Sequence, residues 1–213
     1  MRLVYLARQF WLGLTARSSA DYWERRYRAG MTSGVGSYGE LAAFKAEVLN
    51  DFVRTHGVQR VIEFGCGDGS QLALASYPRY LGFDVSPTAI DLCAQRFCND
   101  RSKAFVLYDP ARTLNLDAFV TADLTLSLDV IYHLLEDRVY LEYLRLLFRA
   151  SGRFVIVYSS DRDGGRTPRH VRERRFTPDV QREFPEFRLV RTIANRYPEQ
   201  TFAEFFIFER ASA

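Results

Sequence analysis

Three glycines follow an apolar run in the stretch VIEFGCGDGS, which covers residues 61–70. Gly65, Gly67 and Gly69 alternate with other residues, and glycine at this density weakens a regular element. A strand that runs into such a turn and then into a helix is typical of nucleotide binding, because bare backbone N–H groups can face a ligand. The dinucleotide-binding spacing G-x-G-x-x-G is not met, since the third glycine comes one residue early.

Acidic residues stand at or near the ends of three predicted strands. Glu63 comes just before the glycines, Asp84 lies near the end of RYLGFDV, and Asp109 ends KAFVLYD. Ligands of open α/β sheets bind at the carboxyl ends of the strands, and a carboxylate placed like that of Asp84 can accept hydrogen bonds from two ribose hydroxyls. The sequence therefore predicts a nucleoside site where these strand ends meet.

The elements that must position these residues alternate between strand and helix. A good helix start follows Asp84, with Ser86 as N-cap and Pro87 in the first turn. The last two strands are separated by a short PEQ turn, which predicts an antiparallel hairpin. The pattern predicts an α/β fold: a doubly wound, Rossmann-like sheet of seven strands with a C-terminal antiparallel β-hairpin. The predicted strands are RVIEF, RYLGFDV, KAFVLYD, ADLTLSLDVI, GRFVIVYSS, FRLVRTIANRY and TFAEFFIFER.

Three further local predictions concern shorter segments. SQLALASY reads as a short helix, and TPDVQREF as a short helix capped by Thr177. The stretch ADYWERRYRAGMTSGVGSYG, aromatic and basic and then rich in Gly and Ser, reads as a mobile loop.

Two parts are predicted along the chain. Residues 1–39 hold an amphipathic helix and a lid or loop, and residues 40–213 form the main domain. Within residues 1–17, apolar side chains share one side of the helix, with arginines beside them. This helix either packs on its own domain or on the second subunit of a homodimer, or it lies on an anionic membrane surface.

Composition limits the class of protein. The chain has 213 residues and a net charge of +3, which suits one globular domain and no strong binding of polyanions. Its three cysteines follow no disulfide or zinc spacing, so we expect a reducing compartment and no metal site. No run of about 18 apolar residues occurs. We expect a cytoplasmic protein, with peripheral contact at the inner face of the membrane as the alternative.

Four stretches, taken in order, resemble the motifs of class I S-adenosylmethionine-dependent methyltransferases: VIEFGCGDGS, LGFDVSPTAI, VLYD and ADLTLSLDVIYHL. The terminal hairpin also resembles that family. The resemblance covers roughly residues 40–210. It implies S-adenosyl-L-methionine as cofactor, with the glycine turn facing its methionine part, Asp84 on the ribose, Val85 beside the adenine and Asp109 on the adenine amino group. Glu63 would support the turn. The implied cofactor-binding residues are Glu63, Gly65, Cys66, Gly67, Gly69, Asp84, Val85, Asp109 and Leu128.

The segment after the fourth strand gives information on the methyl acceptor. Methyltransferases that act on nucleobase amines resemble one another in an N/D-P-P-Y/F motif, and residues 127–133 (SLDVIYH) have no proline pair. Asp129 and His133 stand near this strand end, where the methyl group would be delivered. His133 is a candidate general base because histidine titrates near neutral pH, or it packs over the cofactor or caps a helix. Asp129 is a candidate hydrogen-bonding group of the acceptor site.

Two segments are candidates for contact with the acceptor. Arginines crowd the stretch after the fifth strand, YSSDRDGGRTPRHVRERRFTP, and either recognise phosphate or carboxylate or form a solvated loop. His170 in this stretch competes with His133 for the role of base. Aromatic residues near position 30 either form a lid that stacks on the ligand or pack the N-terminal helix. The candidate substrate-binding residues are Tyr38, Arg169, His170 and Arg172.

Together these observations predict an O-methyltransferase that acts on a small or glycan-linked hydroxyl acceptor with an anionic group. A weaker resemblance to bacterial methyltransferases of surface polysaccharides and other glycans favours the glycan. One alternative is an RNA methyltransferase that uses the arginines as a phosphate track, although nucleic acid is disfavoured by the low net charge and the missing motif. The other is a non-catalytic module of the same fold, docked on a membrane or a partner enzyme.

Overall fold

A computed structural model of the protein describes residues 11–110, 112, 115–164 and 167–211. Seven strands form one sheet in the order β3-β2-β1-β4-β5-β7-β6, and β7 runs antiparallel to both of its neighbours. The predicted fold class is confirmed. The strands are β1 Arg60–Phe64, β2 Arg79–Asp84, β3 Lys103–Leu107, β4 Ala122–Leu128, β5 Ser151–Ser159, β6 Phe187–Ile193 and β7 Glu204–Arg210. Helices α1 to α5 span Ser19–Arg28, Gly39–Thr55, Pro87–Arg96, Asp137–Arg149 and Thr177–Glu183.

The central strands are buried on both faces, which explains their nearly continuous apolar runs. Along β5, Val155 and Val157 point into one core with α4 and α5, whereas Ile156 and Tyr158 point into the other core with α2. This alternation follows from the two-residue period of a strand. Because helices cover both faces of these central strands, a ligand reaches the strands at their ends.

The start of α3 follows its predicted local chemistry. The Ser86 hydroxyl accepts a hydrogen bond from the Ala89 N–H at 3.1 Å, and Pro87 is the first helical residue. Such a cap satisfies one of the N–H groups that a helix leaves free, and proline suits a position whose N–H has no partner. The turn between Asp84 and α3 is therefore fixed by adjacent residues, which places the end of β2 at the sheet edge.

Two short segments differ from their sequence-based predictions. SQLALASY forms only a 3-10 turn at Leu72–Leu74. Thr177 does not cap the last helix; it is the first residue of α5, and its N–H and hydroxyl bond to the Asp161 carboxylate at 3.0 and 2.5 Å. A distant carboxylate thus replaces the local cap.

The connection between the last two strands is longer than the predicted PEQ turn. β6 ends at Ile193 and β7 begins at Glu204, so residues 194–203 separate them. The Asn195 amide donates to the Ala203 carbonyl at 3.1 Å and also contacts the Tyr158 hydroxyl. The hydrogen bonds of Asn195 to the loop and to β5 therefore stabilise a connecting loop, whereas the apolar pattern alone assigns most of these residues to the two strands.

The segment predicted as a mobile loop contains helix α1. Ser18 caps it by accepting from the Asp21 N–H at 3.1 Å, and its residues Tyr22 and Tyr27 are buried. Tertiary packing thus stabilises a helix whose own sequence is polar and aromatic.

The N-terminal helix predicted over residues 1–17 falls largely outside the described residues, since residues 1–10 are not described. Residues 11–15 are helical. The boundary at residue 39 and the membrane contact of this segment stay predictions. In the described part of the chain, none of the helices has the length and apolar character needed to cross a bilayer.

The buried Tyr143 of α4 ties that helix to the glycine turn. Its hydroxyl donates to the Phe64 carbonyl at 2.9 Å and lies 2.7 Å from Ser127 Oγ. Because Tyr143→Phe leaves these buried groups without a partner, we expect the free energy of unfolding to fall by about 1–3 kcal/mol. Chemical denaturation measures this difference. Tyr77→Phe is the control, since the buried Tyr77 has no hydrogen bond to the described residues; an equal loss in both variants would contradict the explanation.

Candidate active site

A cavity of about 360 Å³ opens at the carboxyl ends of β1, β2 and β4, and α1 lies across it. Ten predicted site residues line it: Glu63, Gly65, Cys66, Gly67, Asp84, Val85, Asp109, Leu128, Asp129 and His133. Five others lie outside its lining: Gly69, Tyr38, Arg169, His170 and Arg172. The parallel sheet thus brings together the strand-end residues, and most of the expected acceptor-binding residues lie elsewhere.

The glycine turn needs glycine for its backbone and for close approach. Gly65 and Gly67 have φ values of 88° and 58°, which side chains rarely allow. A Cβ atom on Gly67 would lie 2.5 Å from Ser33 Oγ, and one on Gly65 would lie 2.5 Å from Val130 Cγ2. The turn is therefore in contact with the segment after α1 and with the segment after β4.

Gly69 has a different role from the other two glycines. A Cβ atom there would lie 2.8 Å from a ring carbon of Phe97 and 3.0 Å from Cys93 Sγ. The missing side chain lets α3 and the residue after it pack closely on the turn. This is a packing requirement of the kind that the third glycine of nucleotide-binding turns often meets.

The Asp84 carboxylate is buried at the centre of the site, with 5% of the residue exposed. Its two oxygens accept from the Gly67 and Ser86 N–H groups, both at 2.9 Å. Burial raises the pKa of Asp84 to about 6, although these hydrogen bonds oppose the shift. Each oxygen keeps a lone pair for a further donor.

Two more carboxylates lie on either side of Asp84. Glu63 is buried behind the turn and accepts from the Tyr80 hydroxyl at 2.7 Å, and burial raises its pKa to about 7. Asp109, after β3, has its side chain half exposed and lies 3.3 Å from Arg112. The cavity is thus acidic along the ends of β1, β2 and β3.

Helix α1 is held over the cavity at two points. The Glu24 carboxylate accepts from the Ser86 and Thr88 hydroxyls at 2.7 and 3.0 Å. The Glu136 carboxylate accepts from the Ser19 N–H and hydroxyl at 3.0 and 2.7 Å. Each carboxylate lies at the N-terminus of a helix, where negative charge is favoured.

The segment after α1 is tied to the glycine turn through Asp68. The Tyr38 hydroxyl donates to the Asp68 carboxylate at 2.8 Å, and the Ser33 N–H donates to it at 3.0 Å. Tyr38 is 40% exposed and lies outside the cavity lining. It therefore anchors the segment that crosses the site.

The two candidate bases, His133 and His170, stack on each other with ring centroids 5.7 Å apart. His133 Nδ1 lies 2.9 Å from the His170 carbonyl, which can only accept, so Nδ1 carries the proton and Nε2 is the acceptor. Burial lowers the pKa of His133 and of His170 to about 4, so both rings are neutral at pH 7. His133 lines the cavity, and His170 packs on Tyr22 of α1.

Asp129 is held on both of its carboxylate oxygens. Lys45 Nζ lies 2.5 Å from one oxygen, and the Tyr132 hydroxyl donates to the other at 2.6 Å. Lys45 comes from α2, is 1% exposed and lines the cavity. Lys45 was not among the residues predicted from the sequence, although one of only two lysines in the chain, set on the apolar side of a helix, is a signal that can be seen in the sequence.

The arginines of the segment after β5 are largely engaged. Arg172 and Arg174 bind the Asp137 carboxylate at 3.0 and 2.5 Å and also donate to backbone carbonyls. Arg162 pairs with Glu173. Arg169 is exposed. Asp137 lies about 35 residues away in sequence, so a solvated loop or an anion site was a reasonable expectation from the cluster alone.

Gln71 is a second lining residue that was not predicted from the sequence. It lines the cavity, and its amide nitrogen donates to the Ala42 carbonyl at 3.1 Å. That bond orients the amide, and the buried oxygen has no hydrogen-bond partner within the described ranges. A buried acceptor without a partner, beside a bare glycine turn and a buried carboxylate, fits a ligand that carries an ammonium group and ribose hydroxyls.

Comparison with known proteins agrees with this geometry. Residues 62–154 match the sequence model of a methyltransferase domain family. The N-methyltransferase NodS from Bradyrhizobium japonicum WM9, solved with S-adenosyl-L-homocysteine, superposes with a TM-score of 0.71 at 16% identity, over 92% of this chain and 100% of that chain. The fold is that of class I S-adenosylmethionine-dependent methyltransferases. The match over residues 62–154 also supports the resemblance drawn from the motifs.

Two further structures show the breadth of this methyltransferase fold. Magnesium protoporphyrin IX methyltransferase from Synechocystis PCC 6803 has a TM-score of 0.66 at 16% identity, over 90% of this chain and 98% of that chain. An O-methyltransferase family protein from Burkholderia thailandensis has a TM-score of 0.62 at 14% identity, over 81% of this chain and 57% of that chain. No curated protein matches the sequence significantly. The fold therefore leaves the acceptor atom open.

The tautomer of His133 can be tested directly by NMR. Proton–nitrogen correlation spectra of the histidine rings, assigned with His133→Gln, should show Nδ1–H for His133 and a ring that stays neutral down to about pH 4. His56 is the internal reference, since it directly follows the last residue of α2 and lies outside the cavity lining. An Nε2–H tautomer would contradict the assignment.

Proposed function

We propose that this methyltransferase transfers the methyl group to a hydroxyl of a small or glycan-linked acceptor, with His133 as general base. The observation that carries the proposal is a neutral imidazole in the cavity lining whose Nδ1–H is bound, so that Nε2 is the proton acceptor. A hydroxyl needs such a base because its proton must leave as its oxygen becomes the ether. When bound, S-adenosylmethionine supplies a methyl group that is already activated on a sulfonium.

The lining residues suit the parts of the cofactor in the order that the family resemblance implies. Asp84 would accept from the ribose hydroxyls, and Val85 and Asp109 would lie at the adenine. The backbone of the turn at Gly65, Cys66 and Gly67 would face the methionine part. The Gln71 oxygen, which has no hydrogen-bond partner among the described residues, would accept from its ammonium group.

His133 has two properties that suit proton removal. Burial keeps its pKa near 4, so the ring is unprotonated throughout the physiological range. The His170 carbonyl also fixes the ring orientation, which avoids an entropy cost at the moment of transfer. A base with so low a pKa provides a weak driving force, and contact with the acceptor must then supply the positioning.

An anionic group on the acceptor has less support than a hydroxyl. Arg172 is committed to Asp137 and to a backbone carbonyl, and Arg169, the other arginine singled out from the sequence, is exposed but lies outside the cavity lining. We keep a glycan-linked acceptor as the proposed class because of the sequence resemblance. The low net charge and the SLDVIYH segment continue to disfavour RNA.

Cofactor binding should depend on Asp84 and on pH. We expect Asp84→Asn to weaken binding of S-adenosylhomocysteine about 10- to 100-fold at pH 8, since charge-assisted hydrogen bonds contribute about 1.5–3 kcal/mol. In the native protein the pKa of Asp84 is about 6 and ribose donors favour the ionised form, so affinity should be constant above that pH and fall below it.

Isothermal titration calorimetry between pH 5 and pH 8 measures both effects. Asp123→Asn is the matched control, because Asp123 accepts from the Gln59 and Arg60 N–H groups at the opposite edge of the sheet. Unchanged affinity in Asp84→Asn, or no binding by the native protein, would overturn the cofactor assignment.

The acceptor class can be read from product mass. We expect S-adenosylmethionine with a deuterated methyl group to label hydroxyl compounds in a panel of sugars, sugar phosphates, nucleotide sugars, amines and RNA. His133→Ala should lower the rate by about 10²- to 10⁴-fold, the usual contribution of a general base. Mass spectrometry locates the label, and calorimetry confirms intact cofactor binding. Labelling of nitrogen, or an unchanged rate in His133→Ala, would refute the proposed chemistry.

A further inference from the structure

We propose that Lys45 is a positioning residue that acts through Asp129 and Tyr132 to hold His133 in its reactive orientation. Lys45 lies on α2, remote in sequence from the segment after β4 that carries the histidine. The inference rests on the proposed role of His133 as base, and it adds a residue that neither the sequence motifs nor the fold assigns.

The buried position of Lys45 requires a specific partner. Only 1% of the residue is exposed, and an unpaired charge at such a position is costly. Its Nζ lies 2.5 Å from Asp129 Oδ2 and 5.1 Å from the centre of the Tyr158 ring. A carboxylate and an aromatic face thus compensate the cation at the end of β4 and β5.

Asp129 turns the chain sharply after β4 and is held on several sides. Its φ of 59° lies in the left-handed region, which costs about 1–2 kcal/mol for a residue with a side chain. Its N–H donates to the Tyr158 carbonyl at 2.9 Å. Gly36 approaches so closely that a Cβ there would lie 2.6 Å from Asp129 Oδ2. The ion pair with Lys45 therefore stabilises a strained turn.

Contacts continue from Asp129 to the histidine. The Tyr132 hydroxyl donates to Asp129 Oδ1 at 2.6 Å, and the Tyr132 ring lies 4.7 Å from the His133 ring. The His133 N–H donates to the Val130 carbonyl at 2.8 Å within the same short 3-10 turn. Movement of the Asp129 carboxylate would thus displace the turn that orients His133 toward the cavity.

The test compares Lys45→Met with Lys103→Met. Methionine keeps most of the length of the side chain but removes the charge. Lys103 is the chain's other lysine, also paired with an aspartate, on the edge strand β3. In Lys45→Met we expect the His133 ring to lose its single Nδ1–H tautomer and its pKa to rise by about one pH unit, because Asp129 then lacks its cation. Lys103→Met should leave both unchanged.

Two further variants separate the effect of the Lys45 charge from that of the contacts between Asp129 and His133. Lys45→Met with Asp129→Asn removes both charges, so His133 should regain most of its native signal. Tyr132→Phe leaves the ion pair intact but removes the hydrogen bond from Tyr132 to Asp129, so it should disturb the His133 tautomer as Lys45→Met does. If Lys45→Met does not fold, judged by near-UV circular dichroism, Tyr132→Phe alone decides, and an unchanged His133 signal there overturns the inference.

Calorimetry with S-adenosylhomocysteine distinguishes this inference from the proposed function. Lys45→Met should change its dissociation constant by less than about threefold, whereas a cofactor ligand would lose tenfold or more. If folded Lys45→Met keeps the native His133 signal, the positioning role is refuted. If that variant also binds the cofactor as the native protein does, the proposed function is unaffected. Failure of the native protein to bind S-adenosylhomocysteine sinks the proposed function but leaves the coupling of Lys45 to His133 measurable by NMR.

Discussion

Two backbone N–H groups donate to one buried carboxylate, that of Asp84, and most of the site depends on this arrangement. The N–H of Gly67 comes from the turn after β1, and the N–H of Ser86 comes from the turn after β2. The carboxylate therefore joins two strand ends that the sheet only brings near each other. It also gives the left-handed glycine turn a fixed partner, so the shape of the turn and the ionisation of Asp84 are coupled.

The electrostatics of the cavity favour a cationic ligand. Glu63 and Asp84 are both buried in its lining, and burial raises their pKa values to about 7 and 6. A pyrophosphate in this place would meet uncompensated negative charge, whereas a sulfonium or ammonium would stabilise both carboxylates. The acidic lining of the cavity agrees with the glycine spacing, which departs from the dinucleotide fingerprint. It gives a physical reason why a pyrophosphate does not suit this site.

The features that could be predicted from the sequence are those set by neighbouring residues or by the periodic spacing of apolar residues. The strands, the strand-end acids and the Ser86 cap depend on neighbouring residues and on alternation, and the structure places them as expected. Helix α1 was missed because its stability comes from packing, although Ser18 with Asp21 three residues later was a visible capping signal. The partners of the arginines were missed because Asp137 and the Arg172–Arg174 segment meet only in three dimensions. Lys45 and Gln71 belong to no motif, so their place in the lining is known from the structure, although the position of Lys45 on an apolar helix face is visible in the sequence.

The closed position of α1 and the state of His133 depend on each other. Trp23 of α1 contacts the His133 ring edge-on with centroids 4.9 Å apart, and Tyr22 stacks on His170 at 4.8 Å. These contacts remove the imidazoles from water, and loss of water is the largest cause of their lowered pKa values. If α1 leaves the cavity, the pKa of His133 should return toward its ordinary value near 6.5, and the ring would then be partly protonated at neutral pH. With α1 across the cavity, the proposed base is thus kept from water and stays fully unprotonated at neutral pH.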